Sequence, residues 1–354
     1  MSAREVILIG WVVLLMPAAA TADTWREQSR QTVSGPGLTE VSVQNARGRI
    51  DARPSPDADL HVVALKIVRG STTESAKELA RQTAVELQRD GSRYLIRVRY
   101  PKSQSIHVNV WEDLGNFSVP KVEVQLSLQV PARVALEMSS SSGDLASQDL
   151  ATPQSLRTSS GEVSVAGAAG KVSVNTASGD VTLTDARAGR IATASGNVEV
   201  QGPGGIYNVA TSSGDVTIDA ASDSLWVEST SGDVVVRKAG HDPGVRTSSG
   251  DVTLRGASGK ISVTTVSGEV EAQMNPPLTG ASISSSSGDV RIGLESRVGC
   301  RLELRTSSGT IDIDGAMRPE TLTRRLVTGT VGSGSAPVTV HSSSGSITVS
   351  TGGS

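Results

Sequence analysis

The chain has 354 residues, with 37 Gly, one Cys, a formal charge of -3 and only eight aromatics (four Trp, three Tyr and one Phe). An aromatic content of 2% excludes a conventional core built on large rings, and the near-balance of charge excludes a general attraction to nucleic acid or to an anionic membrane surface. A length that would suit two ordinary domains, filled mostly with Ser, Thr, Gly, Val and Asp, points instead to a repeated unit.

The first segment reads as a leader. Arg4 precedes an apolar run from Val6 to Met16, then Pro17 and small residues, and Ala20-Thr21-Ala22 fits a cleavage site before Asp23, giving a signal peptide over residues 1–22. The run has 11 residues, too short for a membrane-spanning helix, which needs about 20. No second such run follows, so no transmembrane segment is expected. The mature protein is therefore expected outside the cytoplasm, in the periplasm or secreted. Cys300 is the single cysteine and has no partner for an internal disulfide. It is read as a buried apolar filler.

Residues 23–135 are irregular and read as an N-terminal capping segment. Val41-Ser42-Val43 and Gly48-Arg49-Ile50-Asp51-Ala52 resemble a degenerate first coil, and a strand is expected from about Leu60 to Val68. Ser71-Thr72-Thr73-Glu74 reads as a capping box, and the stripe Ala76, Leu79, Ala80, Thr83, Leu87 predicts one helix over about residues 72–89, ending at Asp90-Gly91. Strands follow at about Tyr94 to Arg99 and Val122 to Val130, joined by a loop carrying Trp111 and Phe117. This segment holds 16 Lys/Arg against 13 Asp/Glu, and residues 136–354 hold 16 against 22. The imbalance is too small to mark a polyanion site.

From residue 136 to 354 one phrase recurs, Ser-Gly followed by an acidic or polar residue and a branched aliphatic. Its glycines are Gly143, Gly161, Gly179, Gly196, Gly214, Gly232, Gly250, Gly268, Gly288, Gly309 and Gly345, at intervals of 17 or 18 that lengthen to 20, 21 and finally 36. The last interval reads as two periods with a blurred copy near Gly329. Two residues after each Gly stands an aliphatic, as in Val216, Val234 and Val252, and a second alternating run precedes it, as in Val172-Ser173-Val174-Asn175-Thr176. Each period thus carries two strands of period two, with β-branched residues on the inward side.

A lone unit of this size cannot stand. Ordering its backbone costs roughly 1–2 kcal/mol per residue, whereas each buried aliphatic returns about 1.5–3 kcal/mol, and a unit has only four or five of them. Stacking the units pairs every backbone group with the next coil and merges the aliphatics into columns. The expected fold is all-β, a parallel β-solenoid (β-helix) of about 18-residue coils with an N-terminal strand and helix cap. At about 4.8 Å per coil, a dozen would extend roughly 55–60 Å.

A leader, a strand and helix segment ending in Leu128-Gln129-Val130-Pro131, and iterated Ser-Ser-Gly-Asp-Val together resemble the bacterial putative-adhesin family of extracytoplasmic β-solenoid proteins. The resemblance covers nearly all of residues 38–350. It implies the fold and, by analogy, a surface or binding role, and it brings no catalytic residues to transfer.

Two columns of polar residues are candidate sites. The residue after each Gly gives Asp144, Glu162, Asp180, Asn197, Asp215, Asp233, Asp251, Glu269 and Asp289. In register these would lie about 4.8 Å apart and repel. Asp215, Asp233 and Asp251 are therefore weak candidate ligands for Ca²⁺, set against a reading as solvated corner residues bonding their own turns. The second column comprises the Ser before each Gly and the Thr three before it (Thr158, Thr176, Thr193, Thr211, Thr247, Thr265, Thr306). It is either a flat hydroxyl surface for a polysaccharide or a structural hydroxyl stack. His61, His107, His241 and His341 have no metal-ligand spacing, no nucleophile elbow or phosphate loop occurs, and no cofactor is expected.

These observations favour a non-enzymatic binding, adhesin-like or scaffold protein, with a glycan or a cell-surface or envelope protein as partner. The competing reading is a polysaccharide-acting β-helix enzyme, for which Asp219, Asp223 and Glu228 are the carboxylates to consider. At the far end, the last phrase near Gly345 is followed only by a polar tail. That coil is expected to leave an unpaired edge through which the protein self-associates weakly.

Overall fold

The computed structural model describes residues 12–14, 24–70, 72–101, 121–202, 204–219 and 223–353. The loop with Trp111 and Phe117 lies outside them, as does most of the leader; Val12–Leu14 is a short strand antiparallel to Thr24–Val33. Among the described residues the protein is all-β apart from one helix, and its strands pair mostly in parallel. The chain divides into two compact units, Met1–Ser164 and Val165–Ser354, so the repeats of Gly143 and Gly161 belong with the irregular segment.

In the first unit, Glu40–Asn45 lies parallel to Arg93–Arg99 on one side and Ala135–Ser140 on the other. Ile50–Pro54 lies in the same way between Lys121–Val130 and Leu145–Gln148. The corner between these two rows is Gly48, directly under Gly143: a Cβ on Gly143 would sit 1.9 Å from the Gly48 carbonyl oxygen. Residues 41–52 are thus a repeat in the stack, as their pattern suggested. Beyond it the chain turns antiparallel, with Thr24–Val33 against Leu60–Arg69 and the latter against Lys121–Val130. Val41, Val43, Ile50, Leu60, Ile96 and Leu126 form the buried interior.

The helix is shorter than its stripe suggested, Thr73–Gln82. Its cap is Thr72, whose Oγ1 accepts from the Ser75 N–H at 3.2 Å while the Thr72 N–H donates to Ser75 Oγ at 3.3 Å. The capping box is therefore closed by Ser75, and Glu74 serves the first turn by its charge. Ala76 and Ala80 pack on Val68 and Val122, flanked by Trp25, Leu79 and Tyr100. Residues 84–90, expected in the helix, instead form a strand antiparallel to Arg93–Arg99, with Val85 opposite Val98 and Leu87 opposite Ile96. Period-two pairing wins because Asp90 and Arg93 enclose a two-residue turn whose first residue, Gly91, has φ +60, the geometry that suits a hairpin.

The second unit is regular. Val181 stands opposite Val198, which is followed in register by Val216, Val234 and Val252. A second parallel row runs through Val172–Thr176, Ala188–Thr193, Ile206–Ser213, Ser224–Ser231 and Pro243–Ser249. Burial alternates along Val181–Thr184, Val216–Asp219 and Val234–Arg237, with the aliphatics at alternate positions turned inward. The corner needs glycine at Gly250, where φ is +145 and a Cβ would lie 2.2 Å from the Gly232 carbonyl oxygen. Any other residue there meets both left-handed strain and a backbone clash.

The C-terminal end departs from chain order. Ala336–Ser344 pairs in parallel with Val270–Ser287 on one side and Cys300–Ser308 on the other. Ile347–Gly353 likewise lies between Val290–Glu295 and Ile311–Asp314. The corner glycines therefore stack as Gly288, Gly345, Gly309. The expected unpaired edge at Gly345 does not exist: Ile347 and Val349 are fully buried, and self-association through that coil loses its basis. In this row the last strand is Ile311–Asp314, which is paired on one side only. The blurred copy near Gly329 is also corrected. Leu326–Val331 runs antiparallel to Cys300–Ser308 and to Arg318–Leu322, so residues 315–335 make a hairpin, not a repeat. The chain then crosses over Gly299, whose carbonyl accepts from Ser335 Oγ at 3.3 Å.

Candidate functional site

The residue after each corner Gly is held outward by the turn and presents a carboxylate or amide along one edge. Its oxygen is engaged within the fold. Asp215 Oδ1 accepts from the Asp233 N–H at 3.0 Å, Asp233 Oδ1 from the Asp251 N–H at 2.9 Å, and Asp251 Oδ1 from the Glu269 N–H at 2.8 Å. Asp180, Asn197 and Asp289 repeat the bond, as does Asp144 toward Glu162 in the first unit. Each side chain thus clamps the next repeat, and these backbone donors offset part of the repulsion along the column. No group of three or more His, Cys, Asp or Glu converges among the described residues. Thermal melts in chelator and in millimolar Ca²⁺ are expected to coincide; a rise of many degrees with Ca²⁺ would show that Asp215, Asp233 and Asp251 hold the ion.

The hydroxyl columns separate into two environments. The Thr at three before Gly is buried, from Thr158 through Thr306, because it follows the inward aliphatic by two residues. Thr176 Oγ1 and Thr193 Oγ1 accept the N–H of Gly179 and Gly196, each at 3.0 Å. From Thr211 to Ser285 the corner changes: Gly250 donates instead to the Ser267 carbonyl at 3.1 Å. The hydroxyls of Thr211, Ser229, Thr247, Thr265 and Ser285 are then left without a protein partner. This column cannot face a polysaccharide. The Ser immediately before each Gly, including Ser213, Ser231 and Ser249, is exposed.

Asp219, Asp223 and Glu228 do not form an acid pair facing a cleft. Asp219 ends one strand and pairs with Lys238 Nζ at 3.1 Å, whereas Glu228 points outward from the other row. An arrangement missed in the sequence lies in the first unit. Thr32 Oγ1 is 3.0 Å from His61 Nδ1, and His61 Nε2 is 3.0 Å from both Asp57 oxygens. Thr32 and His61 are cross-strand partners, a juxtaposition that only the register reveals. The Asp59 N–H, then the His61 bond, hold the Asp57 carboxyl below its ordinary range. Beside them a shallow groove of about 350 Å³ is lined by Arg30, Val63, Ser127 and Gln129. In a hydroxyl–imidazole–carboxylate chain the imidazole can take the hydroxyl proton while the carboxylate orients it, but the strand N–H groups around Thr32 are committed to the ladder, and catalysis of acyl transfer needs donors aimed at an oxyanion.

Cys300 is fully buried and desolvation pushes its thiol up to about 11. It should resist iodoacetamide in the native protein and react only on unfolding; rapid native labelling would contradict the burial. No helix among the described residues is long and apolar enough to cross a membrane.

A family profile described as Toastrack DUF4097 matches residues 72–243 and 241–350. No curated protein matches the chain. Among solved structures, a putative cell adhesion protein from Clostridium sporogenes is 9% identical, with 92% of this chain and 100% of that one covered and a TM-score of 0.23. A putative lipid binding protein from Parabacteroides distasonis is 11% identical over 91% and 96% of the two chains, with a TM-score of 0.27. A putative adhesin from the same organism is 10% identical over 92% and 96%, also at 0.27. The profile spans most of the chain and includes the Ser-Gly-Asp-Val repeats on which the resemblance to the adhesin-like family rests. The chain is a member of the Toastrack DUF4097 family.

Proposed function

We propose that the chain is an extracytoplasmic β-solenoid of about 18-residue coils that binds a ligand without transforming it, as an adhesin-like or scaffold protein. The observation that carries this reading is the register of the second unit. Consecutive repeats pair residue for residue, so their outward side chains form long, flat, regular rows, a surface suited to an extended partner rather than a cleft suited to a reacting centre. The leader over residues 1–22 supports export. Within the first unit, the antiparallel strands and the helix act as a cap that protects the edge of that unit's own parallel strands.

The test is a glycan and envelope-protein array probed with the purified chain, read alongside hydrolysis assays on the same glycans. Saturable retention without product release is expected. Release of reducing ends would favour the polysaccharide-acting enzyme, and loss of that release in His61→Ala would place it at the Thr32–His61–Asp57 chain. No retention on any surface would overturn the binding role.

A further inference from the structure

Trp226 is an exception among the outward residues of the second unit. It is a large ring among outward side chains that are mostly polar or charged, and it remains 39% exposed. Its neighbours across the strands are Asn208 and Gly244. A Cβ on Gly244 would lie 2.3 Å from the indole Cε3 and 2.5 Å from Cζ3. The ring therefore lies across the Gly244 backbone, and glycine is the residue that leaves room for it. Isolated glycines inside strands mark such close approaches.

The polar side chains around the ring have nothing to hold them. Arg190 stands opposite Asn208, and Glu228 stands opposite Arg246, one outward position further along the strands. Among the described residues, none of these four side chains makes a hydrogen bond or ion pair, although Glu228 and Arg246 are direct cross-strand neighbours. Elsewhere on the outer faces such pairs close. Arg93 and Arg157 both bind Glu137, at 2.7 and 2.9 Å, and Arg291 is paired with Glu269. Around Trp226 two guanidiniums, a carboxylate and an amide remain free to serve another molecule.

We propose that Trp226, with Arg190, Asn208, Glu228 and Arg246, is a binding platform for a pyranose glycan, a reading that rests on the binding role above. An exposed indole offers a flat apolar face to the C–H face of a sugar ring, and the hydroxyls at the ring's edge need both donors and acceptors. Arginine and asparagine supply the donors, glutamate and asparagine the acceptors. The repeat advances about 4.8 Å per coil, close to the advance of one residue along an extended β-linked glycan. A chain crossing the strands therefore meets one repeat per sugar, with the ring over Trp226 as its anchor and Asn208 and Arg190 beneath its next residues.

The experiment is a calorimetric and fluorescence titration of the purified chain with three β-1,4-linked glycans: cellohexaose, chitohexaose and mannohexaose. Wild type should bind at least one of the three. Trp226→Ala should weaken that binding at least tenfold, as should Gly244→Val by displacing the ring, while Trp226→Phe should retain part of it. If either change lowers the melting temperature, Arg246→Ala and Glu228→Gln, both at exposed positions, replace them and should each weaken binding severalfold. Binding that persists unchanged in Trp226→Ala would overturn the platform and leave the adhesin-like role standing. Failure of wild type to bind any of the three, with retention on an envelope protein in the array, would overturn the glycan assignment alone.

Discussion

Ile347→Lys is expected to destabilise the protein by about 4 kcal/mol or more, in the range reserved for buried unpaired charges, whereas Ile311→Lys is expected to be far milder. The two isoleucines occupy the same position of the repeat and stand opposite each other. Ile347 is flanked on both sides, by Val290 and by Ile311, and is 0% exposed. Ile311 has a neighbour on one side only and is half-buried. Were the repeats stacked in chain order, Gly309 before Gly345, Ile311 would be the enclosed residue and Ile347 the edge. Thermal melts of the two variants therefore read out the stacking order directly, and a larger loss in Ile311→Lys would reject the inserted coil. Removing residues 336–354 should be more severe still. It opens a slot between coils that are then about 9.6 Å apart, twice the strand spacing, and protease sensitivity across residues 281–314 reports it.

That insertion could not be read from the sequence, and the reason is the repeat itself. Each copy presents the same Ser-Gly corner and the same aliphatic positions, so any copy fits against any other. The pattern determines what stacks but not in which order. Order is set by the connection, here the hairpin 315–335 and the crossing over Gly299. In the sequence, the interval of 36 residues equals two periods and left room for one further copy near Gly329. The missing Ser-Gly phrase near Gly329 was the signal against that reading.

The helix boundary failed for a different reason. Leu87 satisfies both a helical stripe and a period-two strand, and its tertiary partner Ile96 decides between them. Inward and outward faces were legible throughout, because β-branched alternation is a local property. By the same parity the buried Thr column could have been assigned, since Thr176 follows the inward Val174 by two residues. Trp226 over Gly244 was legible only in part. An isolated glycine at an outward strand position is a warning, but its cause lies one full repeat away and emerges only once the register is known.

Val234→Asp should also reach about 4 kcal/mol or more, while Thr217→Asp should remain within about 1 kcal/mol of wild type. Val234 is 0% exposed in a column with Val216 on one side and Val252 on the other, so a carboxylate there has aliphatics for neighbours and no donor within its layer. It must either stay charged in an apolar medium or take up a proton and still lack a partner. Thr217 is one residue from the inward Val216, so its side chain leaves the opposite face, between Glu199 and Val235. Its aspartate would keep its water and feel only a cross-strand repulsion from Glu199, an effect of roughly 0.2–1 kcal/mol that added salt should reduce. Urea melts at low and high salt separate the two mechanisms: the Val234→Asp loss should be insensitive to salt, and the small Thr217→Asp loss should shrink. Equal losses in the two variants would mean that the inward and outward faces of this strand have been exchanged.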